Sequence, residues 1–480
     1  MAERTDEDLA VLFPTFDFAL FFLIVFTVSW SLRRVHGAHK VFMAAASYFF
    51  YGYWDWRFTF LLLGSSLLNY TAGRVLDLAA SPRRRKWVVA AAVGLNLATL
   101  GFFKYYGFFM ESLADLLFAL GLERDLPFLE VILPVGISFF TFQGISYVVD
   151  VYRGRVPANR SLLNVVLYIS FFPQLVAGPI VRASYFLPQL DQRPDPGRIL
   201  AGMGLLLILW GVFKKAIVAN YLAVELVDDV FFDPTVYHPL DLLLALYGYS
   251  VQLYCDFSAY SDIAIGAAAL LGYRFPRNFD QPWRSESVGE FWQRWHLSLS
   301  TWLRDYLFIP LGGSRGGRLA TSRNILITMF LGGVWHGAGY TYVLWSLYQS
   351  LGLALERLWQ DIRGPVRQTF FRRARNLVLF FHFFAASWIL FRVENLEVSR
   401  QFLAAFGNWE APITGWRPLV LTLIALGLAA NFTPPRTLEV IESRFVRLPA
   451  VVQGLLVGFI LVMIEAFGME GMAPFIYFQF

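Results

Sequence analysis

Long apolar runs, separated by short polar breaks rich in arginine, set the pattern of this chain. Runs approaching the roughly 20 residues that cross a hydrocarbon core recur at Phe16–Ser31, 86–103, 199–213, 377–390, 419–430 and 451–467. Each predicts a membrane helix. Residues 41–75 form a further apolar stretch interrupted at Trp54-Asp55-Trp56-Arg57, which predicts a helical hairpin with its turn at the tryptophans. From about residue 127 to 363 the pattern loses its clean spans. Pro, Gly, Arg and Trp mix with apolar residues there, as in re-entrant or partly buried helices. Irregular backbone at membrane depth is tolerated only inside protein or along a cavity, so the middle of the chain is where function is expected.

The basic residues fall in the breaks: Arg33-Arg34, Arg83-Arg84-Arg85-Lys86, Arg153/Arg155/Arg160, Arg372-Arg373-Arg375 and Arg436/Arg444/Arg447. Short loops rich in Lys and Arg mark the cytoplasmic side of a membrane protein and hold anionic headgroups. Read from either end, this rule places both termini outside, with the 54–57 turn and residues 394–416 on that same face. Residues 1–9 are acidic and lead into the first apolar run with no small-residue cleavage site. A cleavable signal is therefore not expected, and Phe16–Ser31 is expected to remain as the first membrane helix. Residues 191–198, with Pro194 and Pro196, are the best candidate for a loop between two bundles. No separate soluble domain is expected, so residues 1–480 are read as one transmembrane domain.

Composition agrees and narrows the classes. Only 16% of residues are charged while 57% are hydrophobic, against about a quarter charged in soluble domains. The net charge of +5 comes from the loops and from no nucleic-acid recognition module; the partners expected are the bilayer and its contents, not nucleic acid. The lone cysteine, Cys255, allows no intrachain disulfide and says nothing of compartment. No metal-ligand spacing, phosphate loop or serine nucleophile elbow is present.

Three central segments carry the candidate chemistry. In 290–306, helical spacing puts Trp295, Leu299, Trp302 and Tyr306 on one face and Gln293, His296, Ser300 and Arg304 on another. Such a helix lines a cavity, or is simply a solvated surface helix. In Leu331-Gly332-Gly333-Val334-Trp335-His336-Gly337-Ala338-Gly339 a histidine sits in an apolar run, where it needs a partner or a wet cavity. Its imidazole suits proton abstraction from a hydroxyl near neutral pH; the alternative is a structural histidine bonded to a neighbouring helix. In 252–262, Asp256 and Asp262 need counter-charges, and Arg274, Arg277, Arg284 and Arg304 are candidates. Six positions apart, the two carboxylates do not share a helical face. Either each meets a different partner or the helix is broken.

Together with Leu12-Phe13-Pro14-Thr15-Phe16-Asp17-Phe18, Gly178-Pro179-Ile180-Val181-Arg182, 291–313 and Pro474-Phe475-Ile476-Tyr477-Phe478, these segments resemble the membrane-bound O-acyltransferase (MBOAT) family. The likeness is to its bacterial branch of alginate and peptidoglycan O-acetyltransferases, and it covers essentially the whole chain. It implies an all-α polytopic fold, roughly 10–12 membrane helices in a ring around a thinned, re-entrant centre. By the same resemblance His336 is the catalytic histidine and His296 the second signature histidine. Asp256, Tyr260, Asp262, Gln293, Arg304 and Trp335 are the candidates for binding donor or acceptor or for supporting the histidines. The donor implied is acetyl-CoA or a similar acyl thioester, used as co-substrate with no bound cofactor. The acceptor implied is an extracytoplasmic polysaccharide, reached directly or through a periplasmic SGNH-type acetyltransferase, with Tyr477 as a candidate acyl relay or an interfacial anchor. The implied location is the bacterial cytoplasmic (inner) membrane. D-alanyl or lysophospholipid transfer, or transport of a lipid-linked sugar, stand as the alternatives.

Overall fold

The computed structural model describes residues 13, 15–122, 129–364, 369–434, 436–468 and 475. Among them helix is the only regular element, as the apolar runs predict. The described residues fall into two compact units. One is drawn from Met1–Gly204 with Ala267–Pro276, the other from Leu205–Gly266 with Arg277–Phe480.

The first unit begins with α1 (Phe16–Ser31), α2 (His36–Trp54), α3 (Arg57–Leu78) and α4 (Pro82–Ala119). The expected hairpin is present as α2 and α3. Its turn is closed by Arg57, which donates to Asp55 through its backbone N–H (2.9 Å) and guanidinium (2.6 Å). That guanidinium holds the Asp55 carboxyl below its ordinary range. Thr15 caps α1 through the N–H of Phe18 (3.2 Å), and Pro82 starts α4 where its missing N–H is not needed. Three further pieces, α5 (Ile137–Tyr152), α6 (Leu162–Ser170) and α7 (Phe172–Leu175), lead to α8 (Ala183–Leu190). All of α5 is buried except Val149 and Tyr152, polar Ser138, Thr141, Gln143, Ser146 and Asp150 included, so this helix lies inside protein and not against lipid. Between α3 and α4, Asn69 and Asn96 exchange amide hydrogen bonds at 3.3 and 3.1 Å. Both amides are buried, and each helps satisfy the other.

The loop predicted at 191–198 lies after α8 and contains one 3₁₀ turn, Pro196–Arg198. The chain then passes into the second unit at Leu205, within α9 (Ala201–Phe213). That helix continues unbroken to Phe232 through two π-helical segments, Lys214–Ala219 and Ala223–Val227. They flank α10 (Asn220–Leu222), and α11 (Asp228–Phe232) ends the run. Then come the long α12 (Pro239–Leu270), the short α13 (Val288–Trp292) and α14 (Leu297–Leu303), and the paired α15 (Gly317–Val334) and α16 (Tyr340–Arg363). The remaining helices are α17 (Phe370–Arg392), α18 (Leu396–Ala405), α19 (Pro418–Ala429), α20 (Thr437–Phe445) and α21 (Ala450–Phe467).

Four of these stretches are long and apolar enough by themselves to cross a membrane: Pro82–Ala119, Ala201–Phe232, Phe370–Arg392 and Ala450–Phe467. Counting the bent pair Pro418–Phe432 and Thr437–Phe445 as one span gives five. In α21 only Ile464 is buried. An apolar helix bare on nearly every side is an aggregation hazard in water and a normal element in lipid. The protein is a multi-pass membrane protein.

Candidate functional site

Both histidines singled out in the sequence lie in the second unit, each in a turn between helices. The turn after α15 is built locally. The N–H of Trp335 donates to the Leu331 carbonyl (3.1 Å) and that of His336 to the Gly333 carbonyl (3.0 Å), extending the helix by two residues. The chain then reverses through Gly337–Gly339 into α16. This needs close approach. A methyl on Gly333 would overlap Ser346 of α16, and one on Gly337 would overlap the Tyr342 ring. His336 is buried, 5% exposed, with its imidazole edge-on to Trp345 (5.4 Å, 86°) and Phe391 (5.6 Å, 71°). Aromatic neighbours in this geometry fix the ring plane.

The second turn departs from the sequence expectation. Residues 290–306 are not one amphipathic helix. α13 stops at Trp292, His296 adopts a left-handed conformation (φ 44°, ψ 55°), and α14 starts at Leu297. A π-helical turn, Arg304–Phe308, follows. His tolerates the left-handed region better than most residues, yet such conformations cost about 1–3 kcal/mol and persist only where the surroundings impose them. The break divides the expected polar stripe. His296 is turned inward and fully buried, edge-on to Phe257 of α12 at 4.7 Å and 84°. Trp335 lies beside both histidines, its ring 6.3 Å from that of His296 and 5.0 Å from that of His336.

Gln293, Ser300 and Arg304 line a cavity of about 300 Å³ instead, and His296 is not among its walls. His336 is, together with Trp292, Trp345, Gly332, Gly333 and apolar side chains including Leu299, Leu303 and Met329. The cavity thus has a mostly apolar lining, one buried imidazole in its wall, and an exposed amide (Gln293) and guanidinium (Arg304). Arg304 is ion-paired to Asp305 at 2.8 Å. Such a space suits an uncharged reacting group near the imidazole and an anionic group near the rim. Among the described residues, no three His, Cys, Asp or Glu side chains are grouped to hold a metal ion.

The two carboxylates lie on an unbroken α12, and each meets its own cation. The cations are lysines, not the arginines expected. Lys215 reaches Asp256 at 2.5 Å, and Lys214 reaches Asp262 at 2.7 Å and the Ser258 hydroxyl at 2.6 Å. Residues six apart on a helix point about 120° apart and are separated by about 9 Å along its axis. Lys214 and Lys215, adjacent on the π-helical segment, each reach one of the two carboxylates. Tyr260, also on α12, is buried against Phe475 at 4.9 Å, and Phe475 lies 5.9 Å from Phe257. Phe475 therefore packs on the helix that carries His296's ring partner. Tyr477 lies outside the described residues.

The sequence profile of the membrane-bound O-acyltransferase family, MBOAT, matches residues 155–395, a stretch that holds both histidines and both lysine–carboxylate pairs. Over 405 residues the chain is 40% identical to a probable alginate O-acetylase of Pseudomonas putida, covering 81% of each chain. The chain belongs to the membrane-bound O-acyltransferase family. A peptidoglycan O-acetyltransferase of Helicobacter pylori is 34% identical to this MBOAT protein, over 76% of this chain and 73% of that one. A teichoic acid D-alanyltransferase of Bacillus subtilis is 31% identical over 45% of this chain and 57% of its own. As an MBOAT member the protein is an acyltransferase, and the transporter alternative falls.

Sequence reasoning missed the lysine partners Lys214 and Lys215 in this MBOAT protein. A signal for the lysines was present: two adjacent cations at the end of the apolar run 199–213 need partners, and two carboxylates in 252–262 need cations.

Proposed function

We propose that this protein moves an acetyl group from an acetyl-CoA-like thioester on the cytoplasmic side to a hydroxyl of an envelope polysaccharide. The observation that carries the reading is the buried imidazole of His336 in the wall of a mostly apolar cavity whose lining includes Arg304. The relatives named for O-acetylation support acetyl as the group moved, since they align with most of this chain. The relative named for D-alanyl transfer aligns with less than half of it.

In this reading His336 is the general base. The acceptor oxygen attacks the thioester carbonyl carbon while its proton passes to the His336 imidazole. The tetrahedral intermediate collapses to the ester, and the departing thiolate takes the proton back as thiol. General-base assistance of this kind typically contributes 10²–10⁴-fold. Arg304 binds the anionic part of the donor, so Arg304→Ala raises the KM for acetyl-CoA more than it lowers the maximal rate; an unchanged KM removes that role. The charge pattern of the loops supports a bacterial cytoplasmic membrane location with both termini periplasmic. The acetyl group then leaves on the outer face, directly or to a periplasmic SGNH-type acetyltransferase. Tyr477 serves as acyl relay if Tyr477→Phe abolishes transfer to polymer; full transfer by that variant leaves it an interfacial anchor.

The deciding measurement is base-labile acetate on envelope polysaccharides from cells making the wild-type protein or His336→Ala at matched membrane levels. Acetate with the wild type and none with the variant is the expected result. Equal acetate in both removes His336 from catalysis.

A further inference from the structure

We infer that Asn278 is the positioning residue for His296: a buried amide, distant in sequence, that breaks the 290–306 helix and holds the histidine in its left-handed turn. The inference rests on the reading of His296 as part of the reaction centre.

The observations lie around one side chain. Asn278 is 1% exposed. Its backbone carbonyl accepts the N–H of Leu297 at 2.8 Å. Its side-chain oxygen accepts both the N–H and the hydroxyl of Ser298, at 3.1 and 2.9 Å. Leu297 and Ser298 are the first two residues of α14, and His296, the residue before them, offers no side-chain cap. Asn278 therefore caps α14 from outside the helix, supplying acceptors for N–H groups that otherwise have none. Its amide nitrogen donates to the Ser261 hydroxyl of α12 at 3.0 Å. That same helix carries Phe257, the ring packed edge-on against His296. Two residues on, the Asp280 N–H donates to the Arg294 carbonyl at 2.9 Å, and the Arg294 guanidinium donates to the Asp280 carbonyl at 3.1 Å. The strand of chain 278–280 is thus stitched to both ends of the turn 294–297.

The consequence is conformational. Sequence spacing alone favours one continuous helix through 290–306, with His296 on the same face as Gln293, Ser300 and Arg304. A continuous helix would donate the N–H groups of Leu297 and Ser298 to carbonyls within the preceding turn. Asn278 competes for those donors with a fixed, buried acceptor anchored to α12, and the competition keeps His296 pointing inward at Phe257 and Trp335. Removing the side-chain acceptor takes both Ser298 bonds from the turn, and His296 moves away from the Trp335 ring that lies beside both histidines.

The test uses membranes containing the full-length protein and follows base-labile incorporation of label from radiolabelled acetyl-CoA into envelope polysaccharide. Wild type, His296→Ala, Asn278→Ala, Asn278→Asp, Ser261→Ala and the Asn278→Ala/His296→Ala double variant are compared at matched protein levels. Asn278→Ala is expected to lower the maximal rate roughly tenfold with the KM for acetyl-CoA within about twofold, the pattern of a lost contribution to chemistry and not to binding. Asn278→Asp keeps both acceptor bonds and restores most of the rate. Ser261→Ala, which removes only the anchor, gives a smaller loss of the same kind and decides the matter if Asn278→Ala fails to accumulate. The double variant is expected to be no slower than His296→Ala, because residues acting through one another are not additive. Losses that multiply in the double variant, or an Asn278→Asp as slow as Asn278→Ala, overturn the proposal. Wild-type rates in Asn278→Ala and Ser261→Ala beside an impaired His296→Ala overturn it alone; a wild-type rate in His296→Ala overturns it together with the reading of His296.

Discussion

The two histidine turns reach similar burial by opposite means. His336 sits at the end of a helix in a turn made by its own neighbours: glycines that let α15 and α16 meet, and backbone hydrogen bonds reaching no farther back than Leu331. His296 sits in a turn that its own neighbours do not favour. It is held by Asn278, by Phe257 and by a segment of chain that returns from α12. One turn is specified by local sequence, the other by tertiary contact. The difference extends to the cavity, which His336 lines and His296 does not.

The largest expected effect tests that functional split. His336→Ala removes the group that faces the cavity, and acetyl transfer is expected to fall by the 10²–10⁴-fold typical of a lost general base. His296→Ala removes a group that does not line the cavity, and transfer is expected to fall by roughly tenfold, since orientation is lost while the base remains. Initial rates at matched membrane levels check both. Equal losses would mean that the two imidazoles act as one unit, and the comparison would collapse.

The same contrast explains what could be read from the chain. The membrane helices were legible because they are written as apolar runs, and Phe16–Ser31 is found at the boundaries the pattern predicts. The hairpin at Asp55–Arg57 was legible because its turn is local. His336 stood out because a titratable ring in a glycine-rich apolar run has few explanations. The 290–306 break was not legible, since its heptad-like spacing continues smoothly through His296 and the residue that interrupts it lies outside the segment. The carboxylates of α12 were recognised as needing cations, but the nearest arginines in sequence were the wrong ones. Lys214 and Lys215 are more than forty positions from Asp256 and Asp262, and only a fold brings them opposite. Burial of such pairs raises the penalty for losing either partner, so this part of α12 is held in place by charge as well as by packing.

A second effect, of intermediate size, probes the local turn. Gly333→Ala inserts a methyl where the Ser346 side chain already lies, with the Ser346 Cα at 2.9 Å from the new carbon. Overpacking of this kind costs about 1–3 kcal/mol, and the thermal midpoint of the purified protein in detergent should drop. Gly333→Ala/Ser346→Gly should recover part of the loss, because the hydroxymethyl is the nearest obstruction, though the backbone remains. No loss in Gly333→Ala would mean that α15 and α16 can separate freely, and the His336 turn would no longer count as locally enforced.

The smallest effect is the most specific. At His296 the backbone has φ 44°, where glycine is at ease and a residue with a Cβ is strained by about 1–2 kcal/mol. His296→Gly and His296→Ala both delete the imidazole, so they share whatever follows from losing the ring. They differ in the backbone. The glycine variant is expected to be the more stable by about 1 kcal/mol, partly offset by the greater freedom that glycine gives the unfolded chain. At His336, which is not among the residues with positive φ, the order should reverse, with His336→Ala at least as stable as His336→Gly. Thermal midpoints of the four variants read this out without reference to activity. If glycine stabilises neither position, the left-handed turn at His296 carries no strain, and tertiary contact is not needed to impose it. If glycine stabilises only position 296, the strain belongs to the turn that Asn278 holds, and the two histidines differ in how the chain puts them in place.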